Sequence, residues 1–293
     1  MKQHYFYIRR SVADRMHSFD AIKEQKADPV RTADLPEQKR ETEAEDKKEM
    51  VSVTEGRALT AVSRTDVGRV RTSNQDAVIF APPLYGVADG MGGHRGGEEA
   101  SASCRDGVTE LLKTRTPEKE MLVNAVRIVN RRVNLRSEED ENLSGMGTTL
   151  TLLWFGSETA YLAHVGDSRC YLLRDGKLEQ VTEDHSMVME MVKAGIITRE
   201  QMRTHPMRNV ITRAVGTDRI IQVDSDELER REGDVWLICS DGLHGLVDEE
   251  TIKSVLEDTD LEQAADRLMQ LALEGGGGDN ISLVLIRDGE AGV

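Results

Sequence analysis

The chain has 293 residues, of which 38% are hydrophobic and 31% charged, and its net charge is −15. That length accommodates one sizeable domain plus an extension, and the low apolar share predicts that part of the chain does not pack. Residues 1–58 balance 12 Lys+Arg against 12 Asp+Glu, so the whole negative surplus falls on residues 59–293, which excludes nucleic acid and anionic membranes as expected partners and is compatible with multivalent cations.

Residues 1–57 read as a charged, disordered N-terminal extension. Between Glu24 and Gly56 the sequence is dominated by Lys, Glu, Asp, Gln and Thr, with Pro29 and Pro36, and has too little apolar surface to offset the entropy of ordering. Tyr5, Ile8, Val12, Met16 and Phe19 fall at three- and four-residue spacing and could line one face of a short helix. A frayed tail is the plainer expectation for a terminus of such mixed charge. No signal-peptide core follows Met1, and no run approaches the roughly 20 apolar residues of a membrane span.

Order is expected from about Ala58, in a domain running over 58–288. Strands are predicted at 59–63 and 77–81, the second stopped by Pro82-Pro83, and the next apolar run is Tyr85-Gly86-Val87-Ala88-Asp89-Gly90. Ala100, Cys104, Val108 and Leu111 then repeat at one-turn spacing. After Thr116-Pro117, so do Met121, Leu122, Ala125, Ile128, Val129 and Val133, which predicts a pair of amphipathic helices. Strands follow at 148–155, 159–165 and 169–173, the last turning at Asp175-Gly176. Residues 185–215, polar and rich in Met and Arg, read as an inserted flap with two short helices and no core-like pattern. Further strands are predicted at 220–223, 235–239 and 281–286, and helices at 249–256 and 261–273. Clustered strands with paired helices indicate an α+β fold, not alternating βαβ units.

The three cysteines, Cys104, Cys170 and Cys239, sit among apolar neighbours without a Cys-x-x-Cys pairing. They read as buried reduced thiols of a cytoplasmic protein, with neither a zinc site nor a disulfide framework.

The chemistry resides in carboxylates at strand ends. Read alone, Asp89-Gly90 is first of all a turn signal, since Asp and Gly dominate turns. The same design recurs, however, at Cys239-Ser240-Asp241-Gly242 and Gly278-Asp279-Asn280, and with the glycine first at Val165-Gly166-Asp167-Ser168. Carboxylates converging from four segments would repel one another unless divalent cations lay between them, and all-oxygen, lysine-poor segments suit Mg²⁺ or Mn²⁺ better than zinc. Upstream, Arg71-Thr72-Ser73-Asn74-Gln75-Asp76 adds a fifth carboxylate and an arginine, whose planar fork matches two phosphate oxygens. Metal ions and an arginine together imply a phosphoryl substrate.

These segments resemble the metal-dependent protein phosphatases of type 2C in their compact bacterial form. The likeness extends over about residues 58–288, including Asp184-His185-Ser186, Ala194-Gly195-Ile196-Ile197-Thr198 and the stretch from Thr204-His205-Pro206 to Ala214-Val215-Gly216. It implies a four-layer αββα sandwich, two antiparallel β-sheets flanked by helix pairs, with a helical flap subdomain and the metal ions at one edge. By motif, Asp89 bridges two metal ions, the Gly90 carbonyl holds one, Asp241 and Asp279 complete the pair, and Asp76 binds metal waters. Asp167 with Asp241 matches a weaker third site, Arg71 the substrate-phosphate arginine and His94 the general acid. Arg208 and Arg213 in the flap are further candidates for substrate contacts, with ordinary surface charge as the alternative for each. One departure stands out: Gln75 occupies a position where the family usually carries Glu, which removes a charge near the metals.

The resemblance implies hydrolysis of phosphoserine and phosphothreonine in proteins by water activated at two Mg²⁺ or Mn²⁺ ions, without a phosphoenzyme. The enzyme would act as a cytoplasmic monomer opposite a serine/threonine kinase, on phosphorylated proteins, with no nucleic acid or membrane partner. Two other classes compete: a catalytically weak relative that binds phosphoproteins as a regulatory module, which Gln75 keeps open, and a two-metal nuclease, which the acidic domain disfavours.

Overall fold

The structure is a computed structural model and describes residues 48–54, 57–258 and 260–291. The expectations for residues 1–47, including the apolar face at Tyr5, Ile8, Val12, Met16 and Phe19, lie outside the described residues. Strands β1 (Lys48–Thr54), β2 (Arg57–Asp66), β3 (Asp76–Ala81) and β4 (Leu84–Met91) precede helices α1 (Gly93–Leu112) and α2 (Lys119–Glu139). Strands β5 (Gly147–Thr148), β6 (Leu150–Phe155), β7 (Thr159–Val165), β8 (Arg169–Arg174) and β9 (Lys177–Gln180) follow, then the short flap helices α3 (Met187–Lys193) and α4 (Arg199–Met202). The chain ends with β10 (Asp224–Glu229), β11 (Val235–Cys239), α5 (Asp241–His244), α6 (Glu249–Asp258), α7 (Leu261–Glu274) and β12 (Ile281–Ala291).

The strands form two antiparallel sheets, one in the order β1-β2-β12-β11-β8-β9 and the other β10-β7-β6-β4-β3, with β5 paired to β4. With seven α-helices among the described residues, the fold is α+β. Strands β6 and β11 are buried at every position, which is why neither alternates apolar with exposed polar residues, Thr151 being the one polar residue in either strand.

Side-chain parity divides the apolar residues among three clusters. In β4, Leu84 and Ala88 face α1 and α2, whereas Tyr85 and Val87 face the other sheet. Ala100, Cys104, Val108 and Leu112 of α1 join Leu122, Val126, Val129 and Val133 of α2 in the first cluster. Ile252 and Leu256 of α6 join Ala264, Ala265 and Leu268 of α7 against β11 and β12 in another. Between the sheets, Tyr85, Phe155 and Trp236 stack edge to face at centroid distances of 5.8 and 6.0 Å.

Four local differences from the sequence reading have physical causes. Ordered structure starts before Ala58, because β1 pairs residue for residue with β2 from Lys48↔Ser63 to Thr54↔Arg57. The run Val51-Ser52-Val53-Thr54, β-branched at Val51, Val53 and Thr54 and followed by Glu55-Gly56, carried that hairpin signal within a charged setting. The strand expected at 220–223 is instead β10, and Ile220 is 90% exposed. Strand β10 is an acidic edge strand held by its ladder to β7, so an apolar pattern does not mark it. The flap has small cores of its own, Met187, Met191 and Val210 on one side and Val188, Met189 and Met202 on the other. Finally, Asp89 lies inside β4, paired with Asp76 of β3 on one side and accepting from Thr149 N at 2.8 Å on the other, and not in a turn.

Candidate active site

The face between the sheets is apolar along most of its length and turns polar at one end. Continuing the parity that buries Tyr85 and Val87 leads to Asp89, and the same step along β3 from Phe80 and Val78 leads to Asp76. Leu153 and Phe155 lead back to Thr151 and Thr149, Cys170 to Ser168, Trp236 and Ile238 to Ser240, and Val284 to Ser282. Thr149, Thr151, Ser168, Ser240 and Ser282 are all fully buried, so they are polar by function of place and not by exposure. They hold the carboxylate segments: Asp89 N donates to Thr149 Oγ1 at 2.9 Å, Ser240 Oγ donates to Asp76 Oδ2 at 2.8 Å, and Thr149 and Ser168 share a hydrogen bond of 2.7 Å.

Asp76 and Asp89 are register partners in the β3–β4 ladder. Burial, and then repulsion from Asp76, Asp241, Asp279 and Asp167, raises Asp89 well above the usual carboxylate range. Burial raises Asp76 to about 6, with Asp279 adding to the rise and hydrogen bonds from Ser282 and Ser240 opposing it. Asp167 is raised by burial first and Asp241 second. Four carboxylates thus lie near enough to Asp89 to disfavour its charge.

The loop between β2 and β3 brings in Arg71, whose Nη2 donates to Asp279 Oδ2 at 2.7 Å. Asn280 fastens this loop at both ends. Its Nδ2 donates to Val67 O and Ser73 O, each at 3.0 Å, and its Oδ1 accepts from Gln75 N at 2.8 Å. Gly68 makes the approach possible, because a Cβ there would lie 2.2 Å from Asp279 O. Gly90 is equally confined: a Cβ would lie 2.1 Å from Gly97 O and 2.6 Å from Gln75 O. The Gln75 side-chain amide carbon would be 2.9 Å from a Cβ on Gly97, so Gln75 sits against the start of α1.

A cavity of about 590 Å³ opens between this end of the sheets and the flap. Asp167, Asp241 and Asp279 line it from the sheet side, and Arg199, Arg203 and Arg208 from the flap side. Arg208 is therefore at the cavity, but Arg213 is not among its lining residues. Arg213 Nη1 instead donates to Asp224 Oδ1 at 2.6 Å, at the edge of the other sheet, which favours the alternative of an ordinary charge held by the scaffold. His94 falls in the first turn of α1, and its side chain lies outside the described residues.

The residues fit a hard cation by two observations. Asp76 Oδ1 and Asp167 Oδ1 are buried without a hydrogen-bond partner, and such oxygens are costly unless a cation meets them. The donors are all oxygens, with no cysteine or lysine among them, which is the chemistry of Mg²⁺ and Mn²⁺. Among the described residues, no three His, Cys, Asp or Glu side chains stand close enough to hold an ion among themselves. Asp279 is turned to Arg71.

The sequence reading found the carboxylates but missed what holds them: Ser240, Ser282, Thr149 and Asn280. The available signal was parity, since each continues the inward-facing series of its strand.

Residues 68–275 match a family model described as protein phosphatase 2C. The chain is 41% identical over 230 residues to the serine/threonine protein phosphatase PstP of Mycobacterium tuberculosis, a match that covers 78% of this chain and 44% of that protein. It thus spans less than half the length of that relative. Against the serine/threonine phosphatase Stp of Listeria monocytogenes it is 37% identical over 235 residues, covering 76% of this chain and 93% of that one. The crystal structure of M. tuberculosis PstP superposes with a TM-score of 0.76 at 40% identity, over 79% of this chain and 99% of the other. A PstP catalytic domain in complex with two manganese ions superposes with a TM-score of 0.74 at 38% identity, again over 79% and 99%. Sequence and fold agree over the same region, and the chain belongs to the protein phosphatase 2C family.

Proposed function

We propose that the chain is a metal-dependent phosphatase that removes phosphate from phosphoserine and phosphothreonine in proteins. The observation that carries this reading is the convergence of Asp76, Asp167, Asp241 and Asp279 on Asp89, each raising its proton affinity, with Arg71 paired to Asp279 and a 590 Å³ cavity lined by Asp167, Asp241 and Asp279. The helix, sheet, sheet, helix order of the apolar clusters supports the four-layer αββα reading, with residues 185–215 as the flap.

Asp89, Asp241, Asp279 and the Gly90 carbonyl would hold two divalent ions, with Asp76 behind them and Asp167 with Asp241 at a third. When bound, such ions supply Lewis-acid activation of water and neutralise charge on phosphoryl oxygens. The chain's own residues do the rest. Arg71 binds and orients the phosphate through its planar fork once a phosphoryl group competes for it with Asp279. Asn280 keeps the Arg71 loop in place, and the buried serines and threonines keep the carboxylates from splaying. His94, at the start of α1, is proposed as the proton donor to the departing serine or threonine oxygen. The substrates are phosphoproteins marked by a serine/threonine kinase. The three cysteines are free and buried, which supports a reducing, cytoplasmic setting.

Phosphate release from a phosphothreonine peptide, with and without Mn²⁺ and alongside DNA, tests the reading. Release that requires Mn²⁺ is expected, with DNA left intact. Mn²⁺-dependent binding of the peptide without release would favour a phosphoprotein-binding module instead.

A further inference from the structure

The flap begins at His185, and His185 grips the turn that carries Asp167 by backbone and side chain together. His185 N donates to Gly166 O at 2.7 Å, and Gly166 N donates to His185 Nδ1 at 2.9 Å. A backbone amide can only donate, so Nδ1 is a bare acceptor and the proton of the neutral ring sits on Nε2. Asp224 Oδ2, 3.1 Å from Nε2, accepts that proton, while Arg213 Nη1 holds the other oxygen of Asp224. Arg213 Nη1 also lies 2.9 Å from His185 Nε2. Both nitrogens there are donors, so the group that attracts each of them is Asp224. Burial first, and then the neighbouring His164 and Arg213, lower His185 to about 3, which keeps the ring neutral.

The gripped residue has little freedom. Gly166 has φ of +112°, and a Cβ on it would lie 2.6 Å from Thr149. The next residue, Asp167, is 5% exposed, its carbonyl accepts from His244 Nε2 at 3.0 Å, and its Oδ1 has no hydrogen-bond partner. Its aim is therefore set by the backbone on either side of it.

We propose that His185 is a positioning residue that fixes the Asp167 carboxylate for a divalent cation by accepting the Gly166 amide, with Asp224 and Arg213 holding the ring in the required tautomer. The flap's starting point and the acidic end of the sheets then form one rigid unit. The proposal rests on the phosphatase reading for its purpose, but its geometry and its test do not need turnover.

Two substitutions separate the ring nitrogens. His185→Asn keeps an oxygen acceptor near the Nδ1 position and gives up Asp224, whereas His185→Gln reaches the Nε2 position and gives up Gly166. Mn²⁺ binding to the full chain is measured by calorimetry. His185→Gln is expected to weaken the weakest class of Mn²⁺ sites by about tenfold or more, as loss of a group that orients a ligand typically does. His185→Asn should stay within about threefold of the native chain, since the Gly166 contact is kept. Equal loss in both variants, or loss in neither, overturns the proposal. Nitrogen-15 spectra of the native, metal-free chain read the tautomer directly: a bare Nδ1 is expected, and a protonated Nδ1 overturns the proposal whether or not the Gln variant folds. A native chain that binds Mn²⁺ but releases no phosphate defeats the phosphatase reading and leaves His185 to be judged on the isotherms.

Discussion

Asp76 and Asp89 stand opposite one another as register partners on adjacent strands, both facing the space between the sheets. Directly opposed like charges cost a sheet roughly 0.2–1 kcal/mol, and here burial and three further carboxylates add to the strain on Asp89. Asp89→Asn should therefore raise the melting temperature of the metal-free chain by a few degrees, given about 2–4 °C per kcal/mol for a domain of this size. The same change should lower phosphate release at saturating Mn²⁺ by at least about a hundredfold, since it removes a proposed ligand. Calorimetry in chelator and a phosphopeptide assay check the two halves. Normal turnover in the variant would sink the role of Asp89.

Asn280 spends its whole side-chain amide on the loop that carries Arg71, through Val67 O, Ser73 O and Gln75 N. At a net 0.5–1.5 kcal/mol for each such bond, Asn280→Ala should cost about 2–4 kcal/mol of stability. It should also lower kcat/KM for a phosphothreonine peptide by about tenfold, a fraction of the loss from Arg71→Ala, because a loosened loop misplaces the guanidinium without removing it. Urea unfolding and steady-state kinetics measure both. Full activity in Asn280→Ala with unchanged activity in Arg71→Ala would take the arginine out of the site.

Asp89, Asp167, Asp241 and Asp279 were legible because each stands beside a glycine where an apolar run ends or begins, a local pattern. Their setting was not. Asp-Gly is a turn by local statistics, and only the non-local pairing of Asp89 with Asp76 and of Gly90 with Thr148 keeps it within a strand. Ser240, Ser282 and Thr149 look ordinary one by one, and gain meaning only when strands from both sheets are laid in register so that their inward faces turn polar at the same end. Arg213 was open between two readings for a related reason. A flap arginine is equally free to face substrate or scaffold, and Asp224, on an acidic edge strand without an apolar signature, decides the matter. The helix pairs were the easiest to read, because their 3.6-residue period is local and both pack one face on a sheet.

Three buried histidines set a pH dependence of stability. Burial lowers His164, and lowers His185 and His244 to about 3, so all three are neutral in the folded chain. Unfolding releases each to its ordinary value near 6.5, where it takes up a proton as the solution acidifies. Each therefore contributes stability that is complete above about pH 6.5 and lost as pH falls below it, on the order of 1 kcal/mol by pH 5.5 for His185 and His244. Asp76, raised to about 6, acts in the opposite sense: in the metal-free chain it favours folding as pH falls through that value. Comparison with a single-histidine variant removes the carboxylate contribution from the result. Urea unfolding of the native chain should weaken more between pH 7.5 and 5.5 than that of His244→Gln, by about 1 kcal/mol. Identical slopes would mean that His244 gains its proton without unfolding.

Arg208 and the acidic end of the sheets face the same cavity, Arg208 from the flap and Asp241 and Asp279 from below. A phosphate seated at Arg71 would leave the flap arginines to meet whatever flanks the phosphorylated residue, so their contribution should scale with the size of the substrate and not with its chemistry. Arg208→Ala should raise KM for a phosphothreonine peptide with acidic flanks by about tenfold, the worth of a charge-assisted hydrogen bond of roughly 1.5 kcal/mol. Turnover of a small aryl phosphate, which does not reach the flap, should stay within about twofold of native, because no contact is lost. Arg213→Ala provides the contrast: held by Asp224 outside the cavity, it should cost stability and leave peptide KM unchanged at a temperature where the variant is folded. Equal effects of Arg208→Ala on both substrates would show that the flap acts on the chemical step and not on the choice of protein.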